Sequence, residues 1–399
     1  METEGTDMDI LRIGVIGIGN MGSAHAVQLF EGRVKGARLT AVCDIDEKRL
    51  QWGKEHFSDK VLFYDSDEAL LDSGEVDAVL IATPHYFHPA IARKAFERKL
   101  NVLTEKPAGV DTASVAEMNR AAEESGVVFG IMFNQRTNQL YRKLHDLVRD
   151  GALGDIKRFV WIINNWYRTQ AYYDSGDWRA TWNGEGGGVL LNQCPHNLDI
   201  WQWIMGMPAR LRAFCNVAHY HRISVEDDAT IYAEYENGAS AVFITSTGEC
   251  PGTNRMEISG TLGKAVIENG ALKLFLLEKD EREICFTSKE GMPRAEVNCQ
   301  TIEQEGPDGG HLEILQNFTD AVLQGKELLA PGTSGIRSLS ISNAAYLSAW
   351  KDEWVSLPVD AEEFARLLDI RKKEEKVTDK KVQKEKMTGE YSNRWSVRW

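Results

Sequence analysis

The sequence predicts an α/β fold followed by an α+β fold: first a doubly wound parallel sheet, then a domain with a mostly antiparallel open sheet. Short apolar, β-branched runs alternate with amphipathic stretches up to residue 134, which is typical of repeated βαβ units. Beyond that point long strand patterns follow one another, and Asn237-Gly238 and Asn269-Gly270 indicate hairpin turns. At 399 residues the chain is long for one hydrophobic core, so more than one domain is expected.

Six strand-like runs and four helical stretches make up the first part of the chain. The strands are predicted at 12–19, 37–44, 61–64, 77–84, 101–107 and 127–134, and the helices at 23–30, 47–57, 89–99 and 112–125. The runs show no strong alternation, as expected for strands buried on both faces of a parallel sheet. Right-handed crossovers between them would give a Rossmann domain, which we place at residues 9–134.

The first strand leads into Gly17, Ile18, Gly19, Asn20, Met21 and Gly22. This GxGxxG pattern alone is weak, but the strand before it and the helix after it are the context of a dinucleotide-binding loop. Such glycines let backbone amides approach a pyrophosphate at the positive end of a helix. Asp44 ends the second strand, where a carboxylate can bind ribose hydroxyls and would repel a 2′-phosphate, so NAD is expected rather than NADP. Asp46 is the more natural cap of the next helix.

The carboxyl ends of the fourth and fifth strands complete the predicted cofactor site, because ligands of open α/β sheets bind there. The fourth strand ends in Thr83 and Pro84, and His88 suits a cofactor contact and a structural place at a helix start equally well. The fifth strand ends in Glu105 and Lys106. From its position, Lys106 is as compatible with a catalytic group near the nicotinamide as with a solvated surface charge. The proline that follows could be cis, which would fix the direction of the lysine.

A second candidate site is the segment 185–201, EGGGVLLNQCPHNLDIW. Asn192, His196 and Asp199 have helical spacing, so a helix would place all three on one face. The glycines indicate that the backbone passes unusually close to something, and the cofactor or the opposite domain is expected. Alone, His196 would be interpreted as a satisfied core histidine. Its combination with a dinucleotide loop and a strand-end lysine favours a proton acceptor for an alcohol that loses hydride.

The stretch 166–182, WYRTQAYYDSGDWRATW, leads into that segment. Aromatic faces stack on the C–H faces of pyranose rings, and arginine and aspartate side chains can bracket hydroxyls. An aromatic loop packed on the sheet is the structural alternative, but continuity with the histidine segment favours a sugar site. The predicted substrate-binding residues are Trp166, Arg168, Tyr172, Trp178, Arg179, Asn192 and His196.

Composition excludes several classes of partner. The net charge of −14 and the lack of a basic stripe argue against nucleic acid. The start of the chain lacks the pattern of a signal peptide, and no apolar run reaches the length of a membrane helix. Six scattered cysteines without a CxxC pair suit reduced thiols, so a cytoplasmic protein is expected. His219 and His221 have strand spacing but no third ligand nearby, so no metal site is predicted.

The second domain is predicted at 135–360, with no long linker before it, and a charged extension at 361–399. The lysine- and glutamate-rich part of that extension suits a solvated helix. The end of the chain, YSNRWSVRW, carries two tryptophans and two arginines, and we expect it to dock on its own body or on a neighbouring subunit.

The chain resembles the Gfo/Idh/MocA family, named for glucose–fructose oxidoreductase, inositol dehydrogenase and rhizopine catabolism. The likeness lies in GIGNMG, in the strand-end Glu105-Lys106-Pro107 and in the GGG run followed by Asn192 and His196. The stretches GTNRMEISGTLG and SNAAYLSAW also look like the second domain of the family, so the resemblance spans about residues 10 to 360.

The resemblance implies a NAD- or NADP-dependent dehydrogenase of sugars or cyclitols that is frequently a homo-oligomer, here a dimer or tetramer. It also implies that Lys106 contacts the substrate oxygen and the nicotinamide, and that His196 takes the hydroxyl proton. Many members have aspartate where this chain has Asn192, and since an amide cannot act as a base, Asn192 should orient the sugar. The likeness is strongest to members that oxidise glycosides and anhydrosugars.

The predicted activity is therefore oxidation of a secondary ring hydroxyl of a sugar or glycoside, with C3 as the expected position and NAD as the hydride acceptor. Two alternatives stay open. One is a glycosidase that oxidises C3 transiently, eliminates the aglycone and returns the hydride. The other is a regulator that only senses the dinucleotide, although such a protein would need neither Lys106 nor His196.

Overall fold

The computed structural model describes residues 10–57 and 59–375. They form two compact units: the first contains the chain up to residue 137 together with residues 309–336, and the second contains residues 138–308 and the chain from 337. The return of 309–336 to the first unit differs from the continuous division expected from the sequence. The expected docking of YSNRWSVRW falls on residues that lie outside the described part of the chain.

The first unit contains the parallel sheet that the sequence predicts. Its strand order is β3-β2-β1-β4-β5-β6, so the chain winds outward in both directions from β1. The edge between β1 and β4, where the order reverses, is the position at which such sheets bind ligands. The strands are β1 (Leu11–Ile16), β2 (Ala37–Cys43), β3 (Leu62–Tyr64), β4 (Ala78–Ile81), β5 (Asn101–Thr104) and β6 (Phe129–Ile131).

Helices connect these strands, and their ends follow ordinary capping rules. The helices are α1 (Asn20–Phe30), α2 (Glu47–His56), α3 (Asp67–Leu71), α4 (His88–Glu97) and α5 (Thr112–Ser125). The side chain of Asp46 accepts from the Lys48 amide and caps α2, as expected. At the end of α5, Gly126 adopts φ 70°, the left-handed conformation that favours glycine.

The second unit is built on a nine-stranded, mostly antiparallel sheet with the order β14-β13-β12-β11-β7-β10-β9-β8-β15. Only β7 and β10 pair in parallel. The strands are β7 (Ile156–Ile163), β8 (Arg210–Val217), β9 (Glu226–Glu234), β10 (Ser240–Ser246), β11 (Asn254–Gly260), β12 (Gly263–Glu268), β13 (Ala271–Leu277), β14 (Val297–Glu303) and β15 (Val355–Ser356). The other α-helices in the described part of the chain are α6 (Gln139–Arg149), α7 (Gln170–Tyr173), α8 (Pro195–Met205), α9 (Glu281–Thr287), α10 (Gly310–Gln324), α11 (Gly335–Lys351) and α12 (Ala361–Glu374).

The core of the second unit fixes α8 on the sheet. Trp201 of α8 is fully buried and stacks on Phe159 of β7 at 5.7 Å and on Phe243 of β10 at 5.8 Å between ring centroids. Burial of such aromatic residues contributes most to the energy of a core. Helix α8, whose first turn carries His196, is therefore fixed on the sheet through Trp201.

Helix α10 is the part of the first unit that comes from late in the sequence. Its residues Ile314, Leu315 and Phe318 are buried. The Gly310 amide donates to Thr137 Oγ1 at 2.8 Å, which joins the start of the helix to the end of the first chain segment.

Within the described residues, no helix combines the length and the apolar character needed to cross a bilayer.

Candidate active site

The glycines of the loop between β1 and α1 have three different steric roles. Gly17 adopts φ 86°, and a side chain there would also press on the Ala82 carbonyl at 2.8 Å. A Cβ on Gly22 would overlap the carbonyl oxygen of Gly17. A Cβ on Gly19 would meet nothing within 4 Å, so no packing contact of the described chain explains this glycine. Open space at the second glycine is what close approach of a pyrophosphate requires.

The first turn of α1 suits an anion. Gly19 is its N-cap and supplies no side-chain cap, so the first amides of the helix have no side-chain acceptor there. Asp44 lies directly after β2, and its carboxylate accepts from the Ile18 amide and the Asp46 amide, both at 2.9 Å. Asp44 is thus tied to the loop while its half-buried side chain stays at the carboxyl edge of the sheet. These features fit the phosphates and ribose of a dinucleotide.

After β4, Thr83 and His88 have different roles. Thr83 Oγ1 is buried and has no hydrogen-bond partner among the described residues, so the hydroxyl is available to a ligand. His88 is fully buried, and its ring nitrogens lie 2.8 Å from the Pro107 carbonyl oxygen and 2.7 Å from the Thr83 carbonyl oxygen. Both ring nitrogens face backbone carbonyls, so His88 lies between two strand ends. Of the two roles left open by the sequence, the structure favours the structural one over a cofactor contact.

Lys106 lies just after β5 and is half-buried. The side chain of the preceding residue, Glu105, holds its backbone in place. Its amide donates to Glu105 Oε2 at 3.1 Å, and the peptide to Pro107 is cis. The other carboxylate oxygen of Glu105 lies 2.7 Å from His25 Nε2 of α1. Glu105 is 5% exposed, so this carboxylate supports the strand end from inside the unit.

Neighbouring groups keep Glu105 ionised despite its burial. Burial alone would raise the pKa of Glu105, but the hydrogen bond and charge of His25, together with His311 and Lys106, lower this pKa to about 2. Burial, together with the charge of His25, lowers the pKa of His311 to about 4, so His311 is neutral at pH 7. An ionised Glu105 therefore lies directly behind Lys106.

In the second unit His196 and Asn192 lie close in sequence but in different local structures. Helix α8 begins at Pro195, so His196 is in its first turn, whereas Asn192 lies in the turn before it. The prediction that Asn192, His196 and Asp199 share one helical face was therefore wrong for Asn192. Asp199 is fully buried and accepts from Gln202 Nε2 at 2.9 Å, which makes it a core residue.

Glu226 and Tyr346 explain two of the three glycines. A Cβ on Gly188 would overlap the backbone carbonyl of Glu226, and one on Gly187 would overlap the Tyr346 hydroxyl. The carboxylate of Glu226 accepts from the Gly188 amide at 3.0 Å, the Leu190 amide at 2.9 Å and the Tyr346 hydroxyl at 2.7 Å. The glycines thus allow the backbone to pass close to a buried carboxylate of the second unit. The sequence had instead suggested a close approach to the cofactor or to the other domain.

Burial raises the pKa of Glu226 to about 7, although its three hydrogen-bond donors oppose the shift. The group therefore changes charge near neutral pH beneath the segment that leads to His196.

The aromatic stretch before the glycines is partly core and partly exposed. Trp166 is 2% exposed, so its ring has little surface to offer a sugar, whereas Trp178 is 37% exposed. The guanidinium groups of Arg168 and Arg179 lie 5.1 Å and 4.8 Å from the centre of the Tyr172 ring. Tyr172 thus offers its hydroxyl more readily than its ring face.

Asn192 belongs to a polar cluster with these residues. Its amide nitrogen donates to Glu185 Oε1, and Glu185 Oε2 accepts from the Ala180 amide at 2.6 Å. Arg179 Nη1 lies 3.1 Å from the Tyr172 hydroxyl and 4.0 Å from Glu185 Oε1. The structure therefore places Tyr172, Arg179 and Asn192 in one polar group, in which the Arg179–Glu185 ion pair links two hydrogen bonds.

The expected strand position of His219 and His221 was wrong, since β8 ends at Val217 and both follow it in a turn. His221 Nδ1 lies 2.8 Å from Asp227, and its Nε2 lies 2.8 Å from the Arg168 carbonyl. His221 thus tethers the backbone of Arg168.

The sequence did not indicate the residues that support Lys106 and the glycine–histidine segment from within their own units. Glu185, Glu226, His25 and Gln193 are buried, and His311 is partly buried. Glu185 directly before the glycine run was a usable signal, because an acid beside three glycines in an apolar stretch needs a partner. Nothing in the local sequence joins His311 to Glu105, which lies more than two hundred residues away.

Known proteins resemble this chain at several levels. Residues 11–133 match the oxidoreductase family with an NAD-binding Rossmann fold, and residues 141–266 match the GFO/IDH/MocA C-terminal domain. The inositol 2-dehydrogenase of Arthrobacter sp. (strain FB24) is 38% identical over 149 residues, which are 37% of this chain and 44% of that protein. The myo-inositol 2-dehydrogenase of Thermotoga maritima is 25% identical over 87% of this chain and 98% of its own length.

A solved structure of levoglucosan dehydrogenase in complex with NADH and levoglucosan superposes with a TM-score of 0.71. It is 20% identical in sequence and covers 87% of this chain and 99% of that one, a likeness that shows the shared fold. The two family matches together take in most of residues 11–266 and confirm the expected oxidoreductase class and NAD as the cofactor. The chain belongs to the Gfo/Idh/MocA family of oxidoreductases, whose first domain is an NAD-binding Rossmann fold.

Proposed function

We propose that this protein oxidises a secondary ring hydroxyl of a sugar, cyclitol or glycoside and passes the hydride to NAD. The observation that carries the proposal is the polar cluster around Asn192, three residues before the start of α8, whose first turn contains His196. A neutral, hydroxyl-rich ligand suits this cluster, because amide, phenol and guanidinium groups recognise hydroxyls by directional hydrogen bonds.

In the proposed reaction NAD supplies the hydride acceptor, and residues of this chain manage the proton. His196 accepts the proton of the substrate hydroxyl while the C–H bond on the same carbon breaks and a carbonyl forms. Lys106 donates a hydrogen bond to the same oxygen and stabilises its developing negative charge. Asn192 orients the ring, since an amide cannot accept the proton.

The substrate class is supported by the relatives, whose names state inositol and levoglucosan as their substrates. All are rings that carry several secondary hydroxyls. We propose C3 of a pyranose as the position oxidised and a glycoside or anhydrosugar as the substrate. We also propose a homo-oligomer, dimer or tetramer, which light scattering on a size-exclusion column would measure.

The test is a panel of sugars, cyclitols and glycosides that includes myo-inositol, levoglucosan, D-glucose and an aryl glucoside, with NAD and absorbance at 340 nm. NADH formed with at least one of them is the expected result, and no NADH from any of them contradicts the proposal. The aryl glucoside tests the glycosidase alternative in the same cuvette, because that reaction would release the phenol without net NADH.

A further inference from the structure

Asn192 presents a hydrogen-bond acceptor because of the residue behind it. Its amide donates to Glu185, which is 2% exposed, whereas Asn192 itself is half-buried. A carboxylate only accepts hydrogen bonds at neutral pH, so the amide nitrogen and not the oxygen must face Glu185. This fixes the direction of the amide and turns its carbonyl oxygen the other way.

The Tyr172 hydroxyl acts as a hydrogen-bond donor because its oxygen already accepts from a neighbour. Arg179 Nη1 donates to the Tyr172 oxygen at 3.1 Å, and a guanidinium has no acceptor, so the phenol hydrogen is directed away from Arg179. Gln193 Nε2 lies 3.4 Å from the same oxygen and adds a second, weaker donor. Tyr172 is half-buried, so its hydroxyl can reach a ligand.

The ion pair between Arg179 and Glu185 fixes the orientation of both the Asn192 amide and the Tyr172 hydroxyl. The same Arg179 nitrogen that bonds Tyr172 lies 4.0 Å from Glu185 Oε1, the atom that accepts from Asn192. Glu185 and Arg179 are both largely shielded from solvent, at 2% and 14% side-chain exposure, so the pair is weakly screened. Removing either charge would therefore release the orientation of Asn192, Tyr172 or both.

We infer that Glu185 and Arg179 are positioning residues that make Asn192 an acceptor and Tyr172 a donor for two neighbouring hydroxyls of the substrate ring. One hydroxyl gives its hydrogen to Asn192, and the other accepts the hydrogen of Tyr172. A vicinal diol fits because each hydroxyl can donate and accept. The inference rests on the proposed function and adds the substrate feature that this half of the site selects.

Binding to the enzyme–NADH complex tests the inference independently of turnover. Calorimetric titrations with myo-inositol, levoglucosan and D-glucose identify the tightest probe, and its monodeoxy analogues are then measured. In the natural protein, removal of either neighbouring hydroxyl is expected to weaken binding roughly tenfold. In Tyr172→Phe, the analogue that lacks the hydroxyl bound by Tyr172 should bind as well as the parent sugar, while the other analogue still binds more weakly. In Glu185→Gln, the analogue that lacks the hydroxyl bound by Asn192 should bind less than about threefold more weakly than the parent sugar.

Glu236→Gln, which changes an exposed glutamate of the same unit, is the matched control and should keep both penalties. Equal weakening of the parent probe and all analogues in Tyr172→Phe and Glu185→Gln would overturn the inference, because a merely structural role acts on every ligand alike. If Glu185→Gln fails to fold, Arg179→Met takes its place, and the penalty that Tyr172→Phe abolishes should fall in this variant as well. If a sugar binds and NADH forms, but the loss of either neighbouring hydroxyl does not weaken binding, only the inference is rejected. If no probe binds, the proposed function is rejected as well.

Discussion

The segment that carries His196 rests on a buried carboxylate from a distant strand. His196 lies in the first turn of α8 with 7% of its surface exposed. Glu226 accepts from the Leu190 amide and belongs to β9, and Tyr346, which donates to Glu226, belongs to α11. Only tertiary structure brings them under the segment.

Replacing His196 by alanine removes the proposed proton acceptor. Turnover of the best substrate should fall by about 100-fold or more, the usual contribution of a general base, while the dissociation constant for NADH stays within about twofold. Steady-state kinetics and fluorescence titration of NADH measure the two quantities. His219→Ala, an exposed histidine of the same unit, is the control and should keep full turnover. Undiminished turnover in His196→Ala would remove this residue from catalysis.

Glu226 is the residue for which pH dependence can be derived. Its pKa is about 7 in the folded chain, above the ordinary glutamate value of 4.5, because burial disfavours the charged form. A raised acid pKa gives stability that is complete below pH 4.5 and is lost as pH rises to 7, here by about 3 kcal/mol. Glutamine resembles the neutral acid, so Glu226→Gln should flatten the decline between pH 5 and 8. Denaturant unfolding at several pH values measures this, and an unchanged slope would assign the decline to other groups.

At the scale of elements, prediction succeeded where burial leaves a short apolar run or where a turn has a characteristic residue pair. The six strands of the parallel sheet and the two Asn-Gly turns were expected, and the structure contains them. Strand β14 was missed because nearly all of it is exposed, so it has no apolar alternation to read. Helix α6 was also missed, although Leu140, Tyr141 and Leu144 give it a buried stripe.

The loop between β1 and α1 allows steric and ligand roles of glycine to be separated. Gly19→Ala adds a methyl group that meets no atom of the described chain, so the melting temperature without cofactor should stay unchanged while NADH binding weakens about tenfold or more. Gly22→Ala pushes a methyl group into the Gly17 carbonyl and should cost about 1–3 kcal/mol of folding stability. Calorimetry and NADH titration of both variants decide, and unaltered NADH affinity in Gly19→Ala would argue that the pyrophosphate does not pass there.

At the scale of the whole molecule, the first unit is built from two separate chain segments. Residues 309–336 supply α10, whose Gln316 side chain accepts from the Lys35 amide at 2.8 Å, and the Ala330 carbonyl accepts from the Ile131 amide at 3.0 Å. No local pattern could predict this return, because an amphipathic helix shows which face is apolar but not which sheet that face covers.

A fragment of residues 10–137 should therefore not fold by itself, because it would expose the surface that Ile314, Leu315 and Phe318 cover and would leave the Ile131 amide without its acceptor. Joining residues 309–336 to it should restore folding. Since the Gly310 amide donates to Thr137 Oγ1, the two ends are adjacent, and a linker of a few glycine and serine residues can span them. The fused fragment should unfold cooperatively and bind NADH, as monitored by circular dichroism and fluorescence. If residues 10–137 alone did so with the affinity of the full chain, α10 would be a covering element and not a part of the nucleotide-binding unit.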